Sequence, residues 1–197
     1  MITYFGPFIY KQNVDEEIIE KFLNASRKLK MDHSENLAGE IKKELLFTEH
    51  DDYEKMLMPY FLNYITEANK IFLNTMDNKV KLKALWTNFQ VKGEYNPIHT
   101  HTSCDLSFVL YLQVPQNIYG FQSFSKTPYG CVTFHYGERN FLCKNKLTYR
   151  PKVGELVIFP SWTQHSVEHF VVDEERMSVA GNIEITDKTL YKGVQNV

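Results

Sequence analysis

The spacing of apolar residues predicts two helices in the first part of the chain. From about residue 14 to residue 30, and again from Asp51 to Thr75, apolar side chains recur every three or four positions, as on one face of a helix. Residues 13–16 (Asn-Val-Asp-Glu) resemble a capping box before the first helix. Pro59 is expected to interrupt the second helix or mark a restart, because proline lacks a backbone N–H. The stretch 37–46 between the helices is too short and mixed to assign.

Beyond Asn78 the pattern changes from helical to extended. Short runs of apolar or alternating residues stand between glycine, proline and asparagine turn signals, as in antiparallel strands. Helices followed by many short strands predict one α+β domain over residues 1–197, with 1–78 as a mainly helical buttress and 79–197 as a sandwich or jelly-roll core. The predicted strands are Lys81–Lys92, Asp105–Val114, Cys131–Tyr136, Glu155–Phe159, His165–Val172 and Arg176–Thr186.

Composition and charge narrow the class of protein. The 197 residues are 43% hydrophobic and 14% aromatic, which predicts a packed globule and excludes a disordered chain. Lys and Arg total 22 against 24 Asp and Glu, a net charge of −2, so no extensive nucleic-acid interface is expected. No apolar run approaches the ~18–20 residues that span a bilayer, and residues 1–7 lack the features of a secretion signal. We therefore expect a soluble cytoplasmic protein with no membrane association.

Three of the seven histidines have a spacing that suits a metal site, namely His99, His101 and His165. Alternate residues of a strand point to one face, ~6–7 Å apart, so His99 and His101 are expected to chelate one ion together. His165 follows the apolar run 155–159, and a neighbouring strand is expected to bring it to the same ion. Three imidazoles on one side of a metal leave the opposite positions open. A His-x-His pair is also common among ordinary surface residues, so the pair alone does not decide the matter.

Arg176-Met177-Ser178 adds a second feature. The side chains of Arg176 and Ser178 share one strand face, where a guanidinium and a hydroxyl can bind a carboxylate. For Arg176 taken alone, a surface ion pair with one of the acids at 173–175 is the simpler interpretation. The order of the histidine pair, the later histidine and Arg-x-Ser is more specific than any part of it, and it indicates a metal site that takes a dicarboxylate.

With these motifs the chain resembles an iron(II)- and 2-oxoglutarate-dependent oxygenase of the double-stranded β-helix fold, which is cupin-like. It is most similar to a compact group from tailed phages and marine bacteria that is related to prolyl 4-hydroxylases. The resemblance covers about Lys81 to Thr186. The resemblance also implies that the protein is located in the cytoplasm of a bacterium or of a phage-infected host cell. The matching residues are Trp86-x-Asn88, Asn96-x-x-His99-x-His101, Leu106-Ser107-x-Val109-x-Tyr111-Leu112, Gly154, Phe159-Pro160-Ser161-Trp162-x-x-His165-x-Val167 and Arg176-x-Ser178-x-Ala180-x-Asn182.

The resemblance implies a role for each matching residue. His99 takes the place of the proximal iron ligand and His165 that of the distal ligand, while Arg176 and Ser178 take the place of the cosubstrate clamp. His101 departs from the family pattern, which has Asp or Glu there, and it makes the ligand set neutral. Asp105 lies four positions farther on, ~13 Å along a straight strand, so only a tight turn would return its carboxylate to the metal. We therefore expect His99, His101 and His165 to hold the metal.

The implied activity is that of a non-haem dioxygenase. Fe(II), O₂ and 2-oxoglutarate would be the cofactor and cosubstrates, with ascorbate as a candidate reductant, and 2-oxoglutarate would be decarboxylated to succinate as a substrate is hydroxylated. Tyr111 and Asn182 are candidates to bind the cosubstrate, and Trp86 and Asn88 to line the substrate cavity; core packing is the alternative for the aromatic side chains. The substrate is a small molecule or a peptide, and a prolyl peptide is suggested by relatedness alone.

Two other functions stay open at this point. A three-histidine cupin-type dioxygenase would act directly on a small thiol or similar substrate without 2-oxoglutarate, and it would need no Arg-x-Ser clamp. A non-catalytic β-sandwich would use the histidines for structure or for zinc. The segment 119–146, rich in Phe, Tyr, Lys and Asn, is either a substrate-covering hairpin or an ordinary long hairpin.

Overall fold

The computed structural model describes residues 6–72, 79–118 and 128–186. Within these ranges the chain forms two antiparallel sheets and two α-helices, which confirms the α+β fold of the double-stranded β-helix type. No helix of the described residues is long and apolar enough to cross a membrane. The helices are α1 (Glu16–Ser26) and α2 (Asp51–Phe72), and the strands are β1 (Tyr10–Asn13), β2 (Met31–Asp32), β3 (Glu44–Leu46), β4 (Val80–Gln90), β5 (Asn96–His99), β6 (Leu106–Gln113), β7 (Val132–His135), β8 (Lys146–Tyr149), β9 (Glu155–Pro160), β10 (Gln164–Val167) and β11 (Arg176–Ile185).

The larger sheet places its strands in the order β1-β9-β6-β11-β4-β3-β2, and the smaller in the order β5-β10-β7-β8. Because side chains alternate between the two faces of a strand, each face of the larger sheet has its own neighbours. One face packs on the helices through a cluster that includes Phe61 of α2, Phe108 of β6 and Ile158 of β9. The other face meets the smaller sheet, where Tyr111 and Phe134 belong to a second cluster. The space between the sheets is where the candidate site lies.

The helices begin and end near the predicted positions, but their details differ. The N-cap of α1 is Asp15, which makes no side-chain capping hydrogen bond. Its carboxylate instead accepts a 3.0 Å hydrogen bond from the Tyr60 hydroxyl of α2. The predicted interruption at Pro59 is wrong, since α2 continues through it. Pro59 is exposed, and so is Lys55 one turn earlier. Because proline has no backbone N–H, the carbonyl of Lys55 has no helical donor and can hydrogen bond to water instead.

The first 78 residues are more than a helical buttress. They contribute β1 to one end of the larger sheet and β2 and β3 to the other. Tyr10 pairs with Ile158 of β9, and Leu46 pairs with Trp86 of β4. These strands are two to four residues long, too short for a visible alternation, and β5 and β8 escape the sequence pattern for the same reason.

The segment 119–146 is only partly described. Residues 119–127 lie outside the described residues, so the interpretation as a lid stays a prediction. The rest contains β7 and the start of β8, which pair with each other as an antiparallel hairpin.

Candidate metal centre

The paired strands β5 and β10 bring two histidines face to face. His165 is the direct Cα partner of His99, and the two ring centroids lie 4.2 Å apart. His101 lies just beyond the end of β5, with its ring 5.5 Å from that of His99 and 5.3 Å from that of His165. One nitrogen from each ring lies within 4.8 Å of the other two. The structure therefore brings together the three histidines that the sequence singled out, although His101 stands in a loop and not on a strand.

The loop that carries His101 is held by the turn that follows β9. The backbone N–H of His101 donates to the carbonyl of Ser161, at 2.9 Å. Ser161 in turn donates through its N–H to the carbonyl of Asp105 and through its hydroxyl to that of Cys104, at 2.9 and 2.7 Å. These bonds hold the chain in a turn after β5. Within this turn, Ser103 adopts a positive φ of 60°. The Pro160-Ser161 part of the motif thus positions a candidate ligand without facing the metal site itself.

Hydrogen bonds orient two of the imidazoles. His99 Nδ1 lies 2.8 Å from the carbonyl oxygen of Pro97, and His165 Nδ1 lies 3.0 Å from that of Thr163. A carbonyl only accepts, so each Nδ1 carries the proton and each Nε2 keeps a lone pair. In protein metal sites, such a bond on the far ring nitrogen fixes both the tautomer and the ring orientation. The arrangement fits a divalent metal that takes imidazole nitrogen.

Burial keeps the three rings neutral. It lowers the pKa of His165 to about 3 and that of His101 to about 4, and the neighbouring His99 adds a repulsive contribution to both. A hydrogen bond with the Asn182 side chain partly opposes the effect at His101. The pKa of His99 is also lowered by burial. Neutral imidazoles are the form that binds metals, so the site is ready for a cation at ordinary pH.

A cavity of about 200 Å³ opens beside the histidines, and Arg176 forms part of its wall. Arg176 is only 3% exposed, and its Nη1 donates a 2.7 Å hydrogen bond to the carbonyl of Gly130. That carbonyl belongs to a turn that requires glycine, because φ is +64° and a Cβ would lie 2.5 Å from Ile118. A buried guanidinium at a cavity wall is suited to a ligand carboxylate. The simpler interpretation assumed an exposed side chain, whereas Arg176 is buried.

The other candidates lie on the same face of the larger sheet. Asn88 of β4 pairs with Ser178 of β11, which pairs with Tyr111 of β6. Tyr111, Asn182, Trp86 and Asn88 line the cavity, whereas Ser178 reaches it through Asn88, whose amide donates a 3.5 Å hydrogen bond to the serine hydroxyl. The guanidinium carbon of Arg176 stands 5.9 Å from the centre of the Tyr111 ring. Burial raises the pKa of the Tyr111 hydroxyl, so it stays protonated.

One hydrogen bond and one ring contact connect Trp86 to the candidate site. Its indole N–H donates to Asn88 Oδ1 at 3.0 Å, and its ring stacks on His101 with the centroids 6.0 Å apart. Trp86 is 3% exposed and is also one of the residues that line the cavity. It therefore combines the packing role and the cavity-lining role that the sequence left as alternatives.

Asp105 is directed away from the three histidines. Its carboxylate accepts a 2.8 Å hydrogen bond from the backbone N–H of Ile185, at the end of β11. A different acid, Glu44, lines the cavity. Sequence reasoning missed Glu44 because it lies in the three-residue strand β3, inside a segment without a periodic pattern. No motif marks it, and only the pairing of β3 with β4 places it at the site.

About half of the chain matches the model of a known protein family. Residues 84–182 match the family model of 2OG-Fe(II) oxygenases, where 2OG denotes 2-oxoglutarate. The matched range contains all nine candidate residues of the site. A search of curated proteins finds no match.

Solved structures show the same fold at low sequence identity. A prolyl 4-hydroxylase from Pseudomonas putida has 13% identity and a TM-score of 0.57, with 91% of this chain and 93% of that one covered. The viral collagen prolyl hydroxylase of Paramecium bursaria Chlorella virus-1, in its 2OG complex, has 13% identity and a TM-score of 0.58, covering 90% and 96%. A prolyl hydroxylase from Trichoplax adhaerens, in complex with a hypoxia inducible factor peptide, has 12% identity and a TM-score of 0.58, covering 90% and 83%.

Proposed function

The chain belongs to the family of 2OG-Fe(II) oxygenases, and on this premise we propose that it hydroxylates a small-molecule or peptide substrate while converting 2-oxoglutarate to succinate. The observation that carries the proposal is the convergence of His99, His101 and His165 beside the buried Arg176 in one cavity. Iron(II) would be held by the three imidazoles, and the 2-oxoglutarate carboxylate farthest from the metal by Arg176. The narrower kinship with proteins of tailed phages and marine bacteria stays a prediction.

The donor set supports a metal of the iron(II) class. Imidazole nitrogen suits iron, zinc, copper and nickel, and each of the three histidines would offer one nitrogen to such an ion. A bound metal would supply redox chemistry in which 2-oxoglutarate and O₂ become succinate and carbon dioxide, with one oxygen atom in the succinate and the other inserted into a C–H bond of the substrate. His99 and His165 contribute fixed rings, because each Nδ1–H is already committed to a backbone carbonyl.

The remaining residues would bind and orient the cosubstrate. Arg176 offers a charge-assisted donor from a buried position, where such bonds are stronger than in water. Its position is fixed by the bond to Gly130 and by packing near Tyr111. Tyr111 keeps its hydroxyl proton and can donate it to a carboxylate oxygen. Asn182 is expected to act through His101, since its side chain hydrogen bonds that ring.

His101 makes the proposed metal site unusual within its family. An Asp or Glu at this position would add a negative charge, whereas an imidazole leaves the ligand set neutral. This observation favours a second candidate function, a three-histidine dioxygenase that acts without 2-oxoglutarate. The buried Arg176 argues for the first function, because it places a guanidinium at the cavity wall, where the carboxylate of a dicarboxylate can bind.

A prolyl peptide is a specific form of the substrate proposal. All three of the solved structures described above are prolyl hydroxylases, and the one from Trichoplax holds a peptide. Fold and cofactor class do not fix the substrate, so this part rests on similarity.

Anaerobic addition of iron(II) and then 2-oxoglutarate tests the main proposal. We expect a weak visible absorption band when the keto acid chelates the metal, and no band with glutarate, which has both carboxylates but lacks the keto group. A native protein without the band would contradict the proposal. Oxygen uptake with a small thiol and without 2-oxoglutarate would instead favour the three-histidine alternative. A protein that keeps its stability when the metal is removed, and that does not bind 2-oxoglutarate, would favour a non-catalytic sandwich.

A further inference from the structure

Glu44 is a buried acid in the cavity wall whose carboxyl group lacks the partners that other buried acids have. It is 2% exposed, and its Oε1 has no hydrogen-bond partner among the residues that the structure describes. Glu155, which is 6% exposed, accepts hydrogen bonds from Lys11, Tyr149 and the backbone of Lys152. A buried polar atom without a partner costs about 1–3 kcal/mol, so its retention calls for an explanation.

The register of β3 and β4 places Glu44 beside the proposed cosubstrate site. Glu44 pairs directly with Asn88, which pairs with Ser178 on the next strand. Directly paired residues point to the same face of a sheet, and two strand spacings separate Glu44 from Ser178 by ~10 Å. Along β4, Trp86 lies two positions before Asn88 on the same face of the sheet, and its ring stacks on His101. A group bound at Glu44 would therefore lie next to the metal site and on the far side of Asn88 from the clamp.

The surroundings of Glu44 favour a cation. Burial, together with the negative charges of Glu94 and Asp32, raises its pKa to about 8. Both carboxylate oxygens of Glu94 accept backbone N–H groups, from Lys42 at 3.3 Å and Val91 at 3.0 Å. Glu94 thus has its own hydrogen-bond partners, and it acts on Glu44 only through the electric field of its negative charge. This end of the cavity is acidic, while the end at Arg176 is basic.

A metal ion does not account for the acidic end. Among residues 6–72, 79–118 and 128–186, His99, His101 and His165 are the one group of three or more His, Cys, Asp or Glu side chains whose ligand atoms converge. Glu44 does not belong to such a group, whereas Ca²⁺ and Mg²⁺ take about six or more oxygen ligands, several of them commonly carboxylates. An organic cation needs fewer, because an ammonium group makes three hydrogen bonds and one or two acceptors suffice to orient it.

We propose that Glu44 is the specificity-determining residue of the cavity and binds a protonated amine of the substrate. That the amine belongs to a substrate rests on the proposed function, but the amine subsite itself does not depend on that function. At neutral pH the carboxyl gives its proton to solvent as the ammonium group arrives, and the resulting carboxylate pairs with that group. Asn88 stands between the bound amine and the clamp, so the two ligands occupy neighbouring places.

Nuclear magnetic resonance of the indole N–H signals tests the subsite directly. The chain has two tryptophans, the buried Trp86 next to Asn88 and the exposed Trp162, which serves as an internal reference. The full chain is loaded with zinc and 2-oxoglutarate and titrated at pH 7 with n-butylammonium or with the neutral n-butanol of similar shape. We expect the Trp86 signal to shift with the amine at about tenfold lower concentration than with the alcohol, while the Trp162 signal stays in place.

Two glutamine variants provide the comparison. Glu44→Gln keeps the size of the side chain and is expected to remove the preference for the amine, whereas Glu20→Gln on the exposed face of α1 should keep it. Glu44→Asp, which retains the charge, should keep a weakened preference. Equal shifts with amine and alcohol in the native protein, no shift with either probe, or a preference that survives Glu44→Gln would overturn the assignment.

The outcomes for the subsite and for the proposed function are separate. An absorption band with iron(II) and 2-oxoglutarate but no amine preference rejects the subsite alone. A Glu44-dependent amine preference without the band rejects the oxygenase reaction and keeps the subsite. Calorimetry adds a second measurement, since binding of n-butylammonium at pH 7 should release about one proton in the native protein and none in Glu44→Gln. Equal proton release by the native protein and by Glu44→Gln would count against Glu44.

Discussion

His99 and His165 are direct partners across the ladder between β5 and β10, and their ring centroids lie 4.2 Å apart. They are 66 positions apart in sequence (165 − 99), so only strand pairing brings them together. Residues directly opposite in an antiparallel pair have Cβ atoms ~5 Å apart, which is close enough for both rings to reach one ion. The pairing thus fixes two of the three candidate ligands, and His101 completes the group from a loop.

Replacing His101 by alanine tests the third ligand. We expect affinity for zinc or iron(II) to fall at least about 100-fold, since even loss of a residue that only supports a ligand costs ~10–100-fold. Calorimetric titration of the metal measures the change. His33→Ala is the matched control, because His33 also lies against Trp86, at 5.9 Å, but is outside the group of three. Equal affinities for the two variants would exclude His101 as a ligand.

Replacing Arg176 by alanine tests the carboxylate clamp. We expect the dissociation constant of 2-oxoglutarate to rise about 100-fold, or ~3 kcal/mol, as charge-assisted hydrogen bonds are lost. Anaerobic titration of the iron(II) protein measures the constant, and thermal unfolding reports separately the cost of the lost bond to Gly130. Arg27→Ala removes an exposed guanidinium and should leave the constant unchanged. Native affinity in the Arg176 variant would show that the dicarboxylate binds elsewhere.

The raised pKa of Glu44 predicts that the stability of the protein depends on pH. Its pKa is about 8 in the folded protein against 4.5 for the unperturbed group, so between these values the folded chain holds a proton that the unfolded chain has lost. This contribution to the free energy of unfolding is fully present below pH 4.5 and is lost as the pH rises towards 8, with a slope of up to ~1.4 kcal/mol per pH unit.

The glutamine variant isolates that contribution. Glu44→Gln should remove the slope, so that its stability relative to the native protein increases as the pH rises from 4.5 to 8. Urea unfolding at several pH values measures the difference. Glu20→Gln should give a curve parallel to the native one. A Glu44→Gln curve that is also parallel would mean that Glu44 ionises normally in the folded protein.

A buried pair of hydroxyl groups connects α1 to the larger sheet. Ser26 Oγ and Thr87 Oγ1 lie 2.7 Å apart, and both residues are fully buried. Ser26→Ala leaves the threonine hydroxyl without this partner and is expected to destabilise the protein by about 1–3 kcal/mol. Adding Thr87→Val removes the second hydroxyl too, so the double variant should cost less than the sum of the single variants. Additive costs in urea unfolding would show that the two groups do not depend on each other.

The regular elements were predictable where they are long. The strands β4, β6 and β11 have eight to eleven residues and carry their pattern openly, as do both helices. Pro59 shows the limit of a local rule, because helix packing and an exposed position outweigh the loss of one hydrogen bond. The two-residue β2 and three-residue β3 are stabilised by their partners in the sheet and not by their own sequence, so no local pattern marks them.

The sequence by itself determined the chemical groups of the site and their order along the chain. Three imidazoles, a guanidinium and a hydroxyl at these spacings are enough to indicate a metal and a dicarboxylate, because ligand chemistry depends on residue type. Only the tertiary structure decided which groups face the cavity. Ser161 turns the His101 loop towards the other histidines, the end of β11 draws Asp105 away, and the pairing of β3 with β4 introduces Glu44. Each of these depends on hydrogen bonds between residues far apart in sequence, which local spacing does not encode.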